Sequence, residues 1–462
     1  MDDEDDGFGE QSTTKDFTLA KNSELRVECS NNSKRSVHVT LEEGSAEVFG
    51  AELQKGNKLC ITGHKLAVFT WTGCRLTVEG APTLVYQAES TPMGSYLNLH
   101  AGLTTRRAAA LAASTAAAEQ AARSVISSAP VQAPGSSTGS VFPGPRVILV
   151  GPTDSGKSTV CRLLLNWGVR SGWEPTFVDL DVGQGNITVP GCVAACPVES
   201  PLEVEPEGGS GSSLDLPLVH FFGHTSPGDA PELYKYLLDR MALTLERRNA
   251  SNPQAAASGL VINTLGWVDG LGYELQLHAI QAFQADVVVV LEQDRLYSQL
   301  SQEFKGRPSV QVYKLDKSGG CVKRERDERR LARDRRVREY FYGSPYGSLQ
   351  PVTNTVRADQ LLVFRVGGGP KAPSSALPIG AVASAGDPLK VTHVPATSEL
   401  MQSVLAVSHA TSPDQLLSAN VAGFILIKEV DVARGTVTYL APCPGPLPGR
   451  YLLAGSLRSA LD

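Results

Sequence analysis

The sequence predicts a mixed α/β chain. A mostly parallel sheet with helices on both faces stands at the centre, a β domain precedes it and a smaller domain follows. Three observations lead there. Residues 16–88 hold short runs such as "LRVEC", "SVHVTLE", "LAVFTW" and "RLTVEG" at close spacing, with Gly, Asn and Lys turns between them; that is the pattern of a β-sandwich or small barrel. From 146 the period changes. "RVILV" (146–150), "TFVDLD" (176–181), "LVHFF" (218–222), "GLVINTLG" (259–266), "DVVVVLE" (286–292) and "VQVYKL" (310–315) alternate with helical patterns. Runs apolar on both faces and separated by helices mark a sheet covered on both sides. After about 345 the chain is β-rich again, in "LLVFRV", "LKVTHV" and "VAGFILIKEVDVARGTVTYLAP".

These shifts divide the chain into an acidic tail (1–15), an N-terminal β domain (16–101), a helix and flexible linker (102–145), a central domain (146–344) and a C-terminal domain (345–462). The first ten residues, MDDEDDGFGE, carry six acids and no base, a composition of disordered tails and not of secretory signals. The linker is "APVQAPGSSTGSVFPGP" (129–145), and "EVEPEGGSGSSLD" (203–215) and "VGGGPKAPSSALP" (366–378) read as loops. The net charge of −6 gives no overall attraction for nucleic acid, so a polyanion site has to be a local basic patch. No apolar run approaches the roughly 18 residues that span a bilayer. The eight cysteines are scattered; Cys192 and Cys196 are the closest, with no second pair or His beside them. Reduced thiols of a cytosolic or nuclear protein are the expectation.

In "VILVGPTDSGKSTVCRLLL", Gly151, Gly156, Lys157 and Ser158 match the spacing of a phosphate-binding loop. Glycines let successive backbone N–H groups converge on a phosphate, and the helix that follows adds its positive end. Lys157 then reaches the β- and γ-phosphates, and the Ser158 hydroxyl is the expected ligand of Mg²⁺. The next apolar run ends in Asp179 and Asp181, followed by Gly183-Gln184-Gly185. Acids at the carboxyl end of a strand beside the loop strand stand where a metal-bound phosphate and a reacting hydroxyl meet. Asp181, nearer the tip, is the predicted catalytic carboxylate; a helix cap after the strand is the alternative.

"KRERDERRLARDRRVREYFYG" (323–343) puts nine bases and four acids within 323–338. On a helix Arg329, Arg333 and Arg336 share one face. That face could close over transferring phosphates, or it could be a solvated surface stitched by Asp327, Glu328 and Asp334. Trp267 lies in the Gly-rich loop "NTLGWVDGLGYE", either exposed for stacking on a base or packed under its own loop. In "FFGHTSPG", His224 and Thr225 fall near the same sheet edge; a lone His there reads as a hydrogen-bonded structural residue.

Ten blocks in order, from "NSELRVE", "AEVFGAEL" and "TPMGSYLNLH" through the loop, "VDLDVGQG" and "VINTLGWV" to "RRVREYFYG" and "VAGFILI", resemble the polynucleotide 5′-hydroxyl kinase family. Its members include the kinase subunit of the pre-mRNA 3′-end cleavage machinery and relatives in tRNA splicing. The resemblance implies an N-terminal β-sandwich, a central P-loop domain and a small C-terminal α/β domain. It implies that Gly151, Pro152, Thr153, Asp154, Ser155, Gly156, Lys157, Ser158 and Thr159 hold the phosphates of ATP, and that Glu24, Phe49 and Lys65 hold its adenine. Asp181 would activate an RNA 5′-hydroxyl, Trp267 would clasp the terminal base, and Thr225 and Gln184 would help hold the RNA. Arg329, Arg333 and Arg336 would form the lid. Asp179 stands where the family often has Glu. The implied partners are RNA 5′ ends, other subunits of the cleavage and polyadenylation factor and the tRNA-splicing endonuclease, in the nucleus and away from membranes. Two readings follow: an ATP-dependent RNA kinase, or a catalytically silent ATP-binding assembly subunit. A GTPase switch lacks its guanine-reading segment, because "INTLG" stands at that place.

Overall fold

The computed structural model describes residues 13–29, 36–63, 65–127, 141–202, 214, 216–344, 347–367 and 387–461. Most of the acidic tail, linker residues 128–140, most of the 203–215 loop and most of the 366–378 loop lie outside them.

The N-terminal domain is a sandwich of two antiparallel sheets. One runs in the order Thr13–Leu19, Cys74–Gly80, Val37–Gly44, Lys58–Ile61, the other Ala51–Glu52, Glu47–Val48, Lys65–Thr70, Ser23–Glu28, Leu84–Gln87. Alternation decides which side chains meet between the sheets: Leu25 and Val27 join Val39, Leu41, Val68 and Leu76 in the core. The intervening Glu24 and Arg26 point to the other face and are buried as well, because the central domain covers that face.

Helix α1 (Met93–Ser127) starts well before the predicted helical stretch, so a boundary at residue 101 falls inside it. The alanine-rich half favours helix by propensity. The earlier turns are held by packing, since Met93, Tyr96 and Leu103 are buried in the core shared with the central domain. Arg107 on this helix is fully buried and donates to the Ser258 carbonyl at 2.9 Å, and Arg106 pairs with Asp286. The helix thus ties the sandwich to the centre.

The central sheet has seven strands in the order Leu218–Phe221, Cys192–Pro197, Thr176–Asp179, Leu260–Asn263, Arg146–Val150, Val287–Leu291, Gln311–Leu315. The last five strands pair in parallel, while Cys192–Pro197 runs antiparallel to both its neighbours. "CVAACP" carries no β-branched run and ends on proline, and the sequence reading passed over it. The helices are α2 (Lys157–Arg170), α3 (Pro231–Ala250), α4 (Pro253–Ser258), α5 (Leu271–Ala282), α6 (Asp294–Glu303) and α7 (Arg326–Tyr342). The basic run is therefore a helix. It opens on a reciprocal cap between Glu325 and Glu328 and stops at Gly343.

The C-terminal domain is a seven-stranded sheet in the order Val352–Arg357, Thr436–Ala441, Val421–Asp431, Val404–Ser408, Tyr451–Ala454, Leu362–Arg365, Thr392–Val394. Its described residues contain 3₁₀ turns and no α-helix, as the β pattern in the residues predicts, so the small α/β domain that the resemblance implies is corrected here to a β-rich one. One face, with Ala406, Phe424, Leu426 and Leu453, merges into the core of the central domain. No helix among the described residues is long and apolar enough to cross a membrane.

Candidate active site

The strand Arg146–Val150 is buried along its whole length and delivers the glycine loop to the sheet edge. Gly156 stands at the N-cap of α2 with φ 89°. A Cβ there would enter the left-handed region and meet Cys321 Sγ at 2.7 Å. The start of α2 has no side-chain cap, so its first N–H groups face the loop cavity. Ser155 Oγ is buried there without a hydrogen-bond partner. A glycine-lined cradle, uncapped helix N–H groups and an orphaned hydroxyl fit a phosphate group.

Lys157 Nζ donates to the carbonyls of Gly151 and Pro152, each at 2.8 Å. Burial lowers its pKa to about 8, against the pull of Asp181 and Asp154. Ser158 is exposed at the rim, and its hydroxyl donates to Asn263 Oδ1 at 3.4 Å. Thr153 is also exposed, with Gly266 approaching its backbone.

The two predicted acids differ. Asp179 is buried and fully engaged: Asn263 Nδ2 donates to it at 2.8 Å, Asn186 through its backbone N at 2.6 Å and Nδ2 at 3.0 Å, and the Asp181 backbone N at 3.3 Å. Asp181 is half-buried; one carboxylate oxygen accepts from Gly183 N at 2.9 Å, and the other has no partner among the described residues. Burial, then the neighbouring Asp179 charge, raise the pKa of Asp181 to about 6, with Lys157 opposing them. Asp181 keeps one carboxylate oxygen unengaged among the described residues, whereas Asp179 is tied to its neighbours. Tyr234 donates to the intervening Leu180 carbonyl at 2.8 Å and fixes the strand end.

Helix α7 crosses the loop, but its arginines do not act as one face. Arg329 Nη2 pairs with Asp154 at 2.7 Å, and Arg324 binds the same carboxylate through its backbone N at 2.9 Å and Nε at 3.0 Å. Burial pushes the Asp154 pKa up, yet the hydrogen bonds from Arg324 and Arg329 outweigh it and the pKa is lowered. The Asp154 side chain is thus a clasp that ties Arg324 and Arg329 of the basic run to the loop. Arg336, predicted to meet the transferring phosphate, donates instead to the carbonyls of Gly185 and Asn186. Arg333 is half-buried with no hydrogen-bond or ion-pair partner among the described residues, which makes it the uncommitted member of the predicted trio. Arg324 lies inside the basic run but off the predicted face; its charge lowers the pKa values of both Lys157 and Asp181.

On the side away from the cradle, the Thr225 carbonyl lies 3.3 Å from where a Cβ at Gly183 would stand, so its loop adjoins the Asp181 turn. Gln184 Nε2 donates to the Gly183 carbonyl at 3.1 Å within that turn. Trp267 is 40% exposed, and its ring fits between Gly228 and Gly272, where a Cβ would approach it at 3.3 and 2.4 Å. His224 is a structural residue: its Nδ1 lies 3.0 Å from Ser456 Oγ.

Glu24, Phe49 and Lys65 line one cavity together with Thr159, Leu163, Tyr96 and the 318–321 loop, between the sandwich and α2. Glu24 is buried, held by Arg26 Nε at 2.8 Å and Thr91 Oγ1 at 2.7 Å. Phe49 lies under the Arg162 guanidinium, and Lys65 pairs with Glu28 at 3.2 Å. Sequence reasoning missed Asn263, Asn186, Arg324 and Arg26. Asn263 closes the quoted run "VIN", and an Asn at a strand end reads as a turn former.

Strand, glycine cradle and helix beside an available carboxylate define a P-loop nucleotide-binding protein, flanked by a β-sandwich and a β-rich domain. Family models match in the same order: the "N-terminal beta-sandwich domain of polyadenylation factor" over residues 18–110, the "mRNA cleavage and polyadenylation factor CLP1 P-loop" over 151–343 and the "Pre-mRNA cleavage complex II protein Clp1" over 349–459. The chain belongs to the Clp1 family. It is 46% identical over 446 residues to a Clp1 homologue of Arabidopsis thaliana, covering 96% of this chain and 94% of that one. It is 40% identical over 448 residues to the polyribonucleotide 5′-hydroxyl-kinase Clp1 of Homo sapiens, covering 96% of each. The fold matches the solved Clp1p–Pcf11p complex with a TM-score of 0.78 at 21% identity, over 98% of this chain and 99% of that one.

Proposed function

We propose that this chain is an ATP-dependent polyribonucleotide 5′-hydroxyl kinase and a subunit of the mRNA cleavage and polyadenylation factor. The name of the human relative and the full-length match support the reading. The observation that carries it is Asp181, a carboxylate with one unengaged oxygen and a raised pKa, set between Lys157 and the turn that adjoins Thr225. In the transfer, the RNA 5′-oxygen bonds to the γ-phosphorus, the bond from that phosphorus to the ADP oxygen breaks, and the hydroxyl proton passes to Asp181. Lys157 and Arg333 offset charge on the moving group, Arg324 and Arg329 hold the basic run against the loop through Asp154, and Arg336 holds the turn after Asp181. A divalent cation such as Mg²⁺, with Ser158 as its protein ligand, would neutralise the triphosphate.

Glu24, Phe49 and Lys65 hold the adenine, which accounts for base selection through the N-terminal domain. Trp267 stacks on the terminal base, with Thr225 and Gln184 beside the first phosphate. Only a short single-stranded end is gripped, in keeping with a net charge of −6. Action in the nucleus and association with the tRNA-splicing endonuclease extend the same reading. The alternative, a silent ATP-binding assembly subunit, draws on the cavity lying between two domains. Transfer of labelled γ-phosphate from ATP to a 5′-hydroxyl oligoribonucleotide, with a 5′-phosphorylated oligomer and Lys157→Ala as controls, separates the two. Label on the 5′-hydroxyl RNA alone supports the kinase; retained ATP with no transfer supports assembly.

A further inference from the structure

We propose that Asn263 is a positioning residue that fixes how the Ser158 hydroxyl is presented to a divalent cation on the nucleotide. The inference rests on the phosphate-loop reading above. Asn263 ends the strand between the cradle strand and the Asp179 strand, in register with Leu149 on one side and Asp179 on the other. Its side chain is fully buried. A carboxylate only accepts, so the amide must turn its NH₂ toward Asp179, and Nδ2 donates there at 2.8 Å. That orientation leaves Oδ1 facing Ser158, whose hydroxyl donates to it at 3.4 Å. With its proton directed at Asn263, Ser158 presents lone pairs outward from an exposed position on the first turn of α2. A hydroxyl set this way is already oriented to ligate a cation, whereas one free to rotate loses that freedom on binding.

The chain of contacts continues away from the cradle. Asn186 holds the other oxygen of Asp179, and the Asn186 carbonyl accepts from Arg336 of α7. The helix that crosses the site is therefore connected to the cation ligand through Asn186, Asp179 and Asn263. A side chain in such an outer position tunes metal affinity without touching the metal.

Calorimetric titration of the full chain with ATP, once in EDTA and once in excess Mg²⁺, tests this. The wild type binds ATP more tightly with Mg²⁺. Asn263→Ala keeps the EDTA affinity and loses about tenfold or more of the gain from Mg²⁺. Asn263→Leu retains the buried bulk and behaves the same way. In a Ser158→Ala background, adding either Asn263 change causes no further loss of the Mg²⁺ gain, because the side chain it positions is gone. The proposal is overturned if either variant keeps the Mg²⁺ gain, if ATP affinity falls equally in EDTA and Mg²⁺, if a variant binds no ATP in EDTA, or if the wild type shows no Mg²⁺ gain. Absence of phosphoryl transfer to RNA with these affinities intact would count against the kinase reading and leave this inference standing.

Discussion

Where the N-terminal domain meets the central one, the buried charged side chains of Glu24 and Arg26 line a cavity. Where the C-terminal domain meets it, two backbones touch. A Cβ at Gly455 would lie 2.0 Å from the Gly223 carbonyl oxygen, and Ser456 N donates to that oxygen at 2.7 Å. Nearby, Tyr340 of α7 packs edge-on against Phe424, with 5.3 Å between ring centroids, and accepts from the Phe424 backbone N at 2.9 Å. The second seam is complete in itself and braces the lid helix and the Thr225 loop. The first leaves a cavity between its walls. A ligand that binds there couples its two domains by mass action, by about 4 kcal/mol at a thousandfold excess over Kd.

Breaking the closed seam has the largest expected effect on stability. Gly455→Ala forces two backbones apart and costs about 3 kcal/mol; thermal denaturation with and without ATP should show the same loss in both. Glu24→Ala, in the open seam, takes the carboxylate from the buried Arg26, leaving it the Tyr86 and Ser90 oxygens, and removes an acceptor from the cavity. ATP affinity should fall about tenfold, the equivalent of about 1.4 kcal/mol, and the ATP-dependent rise in Tm should shrink with it, while KM for RNA is unchanged. Tyr340→Phe removes one hydrogen bond, costs about 1 kcal/mol and leaves ATP affinity alone. A Tyr340→Phe variant that lost ATP binding, or a Glu24→Ala variant that kept it, would erase the distinction between the seams.

The pH dependence follows from two groups on the open side. Asp181, at about 6, must be ionised to take a proton, and Lys157, at about 8, must be protonated to neutralise phosphate. The kcat/KM profile should therefore rise as pH passes about 6 and fall as it passes about 8.

Much of this was legible before any coordinates. The glycine loop stood between a buried apolar run and a helical one, and Asp179 and Asp181 marked the end of a strand of the same sheet, although Leu260–Asn263 lies between that strand and the loop strand where the sequence reading puts the two side by side. Periodicity also found the α7 helix, but not its contacts. Arg329 and Arg336 share a face in projection, yet one end of the helix lies over the cradle and the other over the 185–186 turn, so they meet different acceptors. The seam cavity was not legible from spacing, because Glu24, Phe49 and Lys65 converge only through sandwich folding; the family resemblance supplied them. Strand Cys192–Pro197 escaped because its alanines and cysteines carry weak β signals and its burial comes from neighbours on both sides. Asn263 and Asn186 act through hydrogen bonds across strands that no linear pattern records.

Asp181 carries the central claim, and its charge can be removed at constant shape. In Asp181→Asn, phosphoryl transfer to a 5′-hydroxyl RNA should fall about 10²- to 10⁴-fold with ATP affinity retained. Because the fold raises the pKa of Asp181, its ionised form destabilises the native state; the variant should melt higher at pH 7.5, with the gain vanishing as pH falls below the unfolded value of about 3.9. Single-turnover transfer at wild-type rate by an Asp181→Asn chain that binds ATP normally would contradict the account.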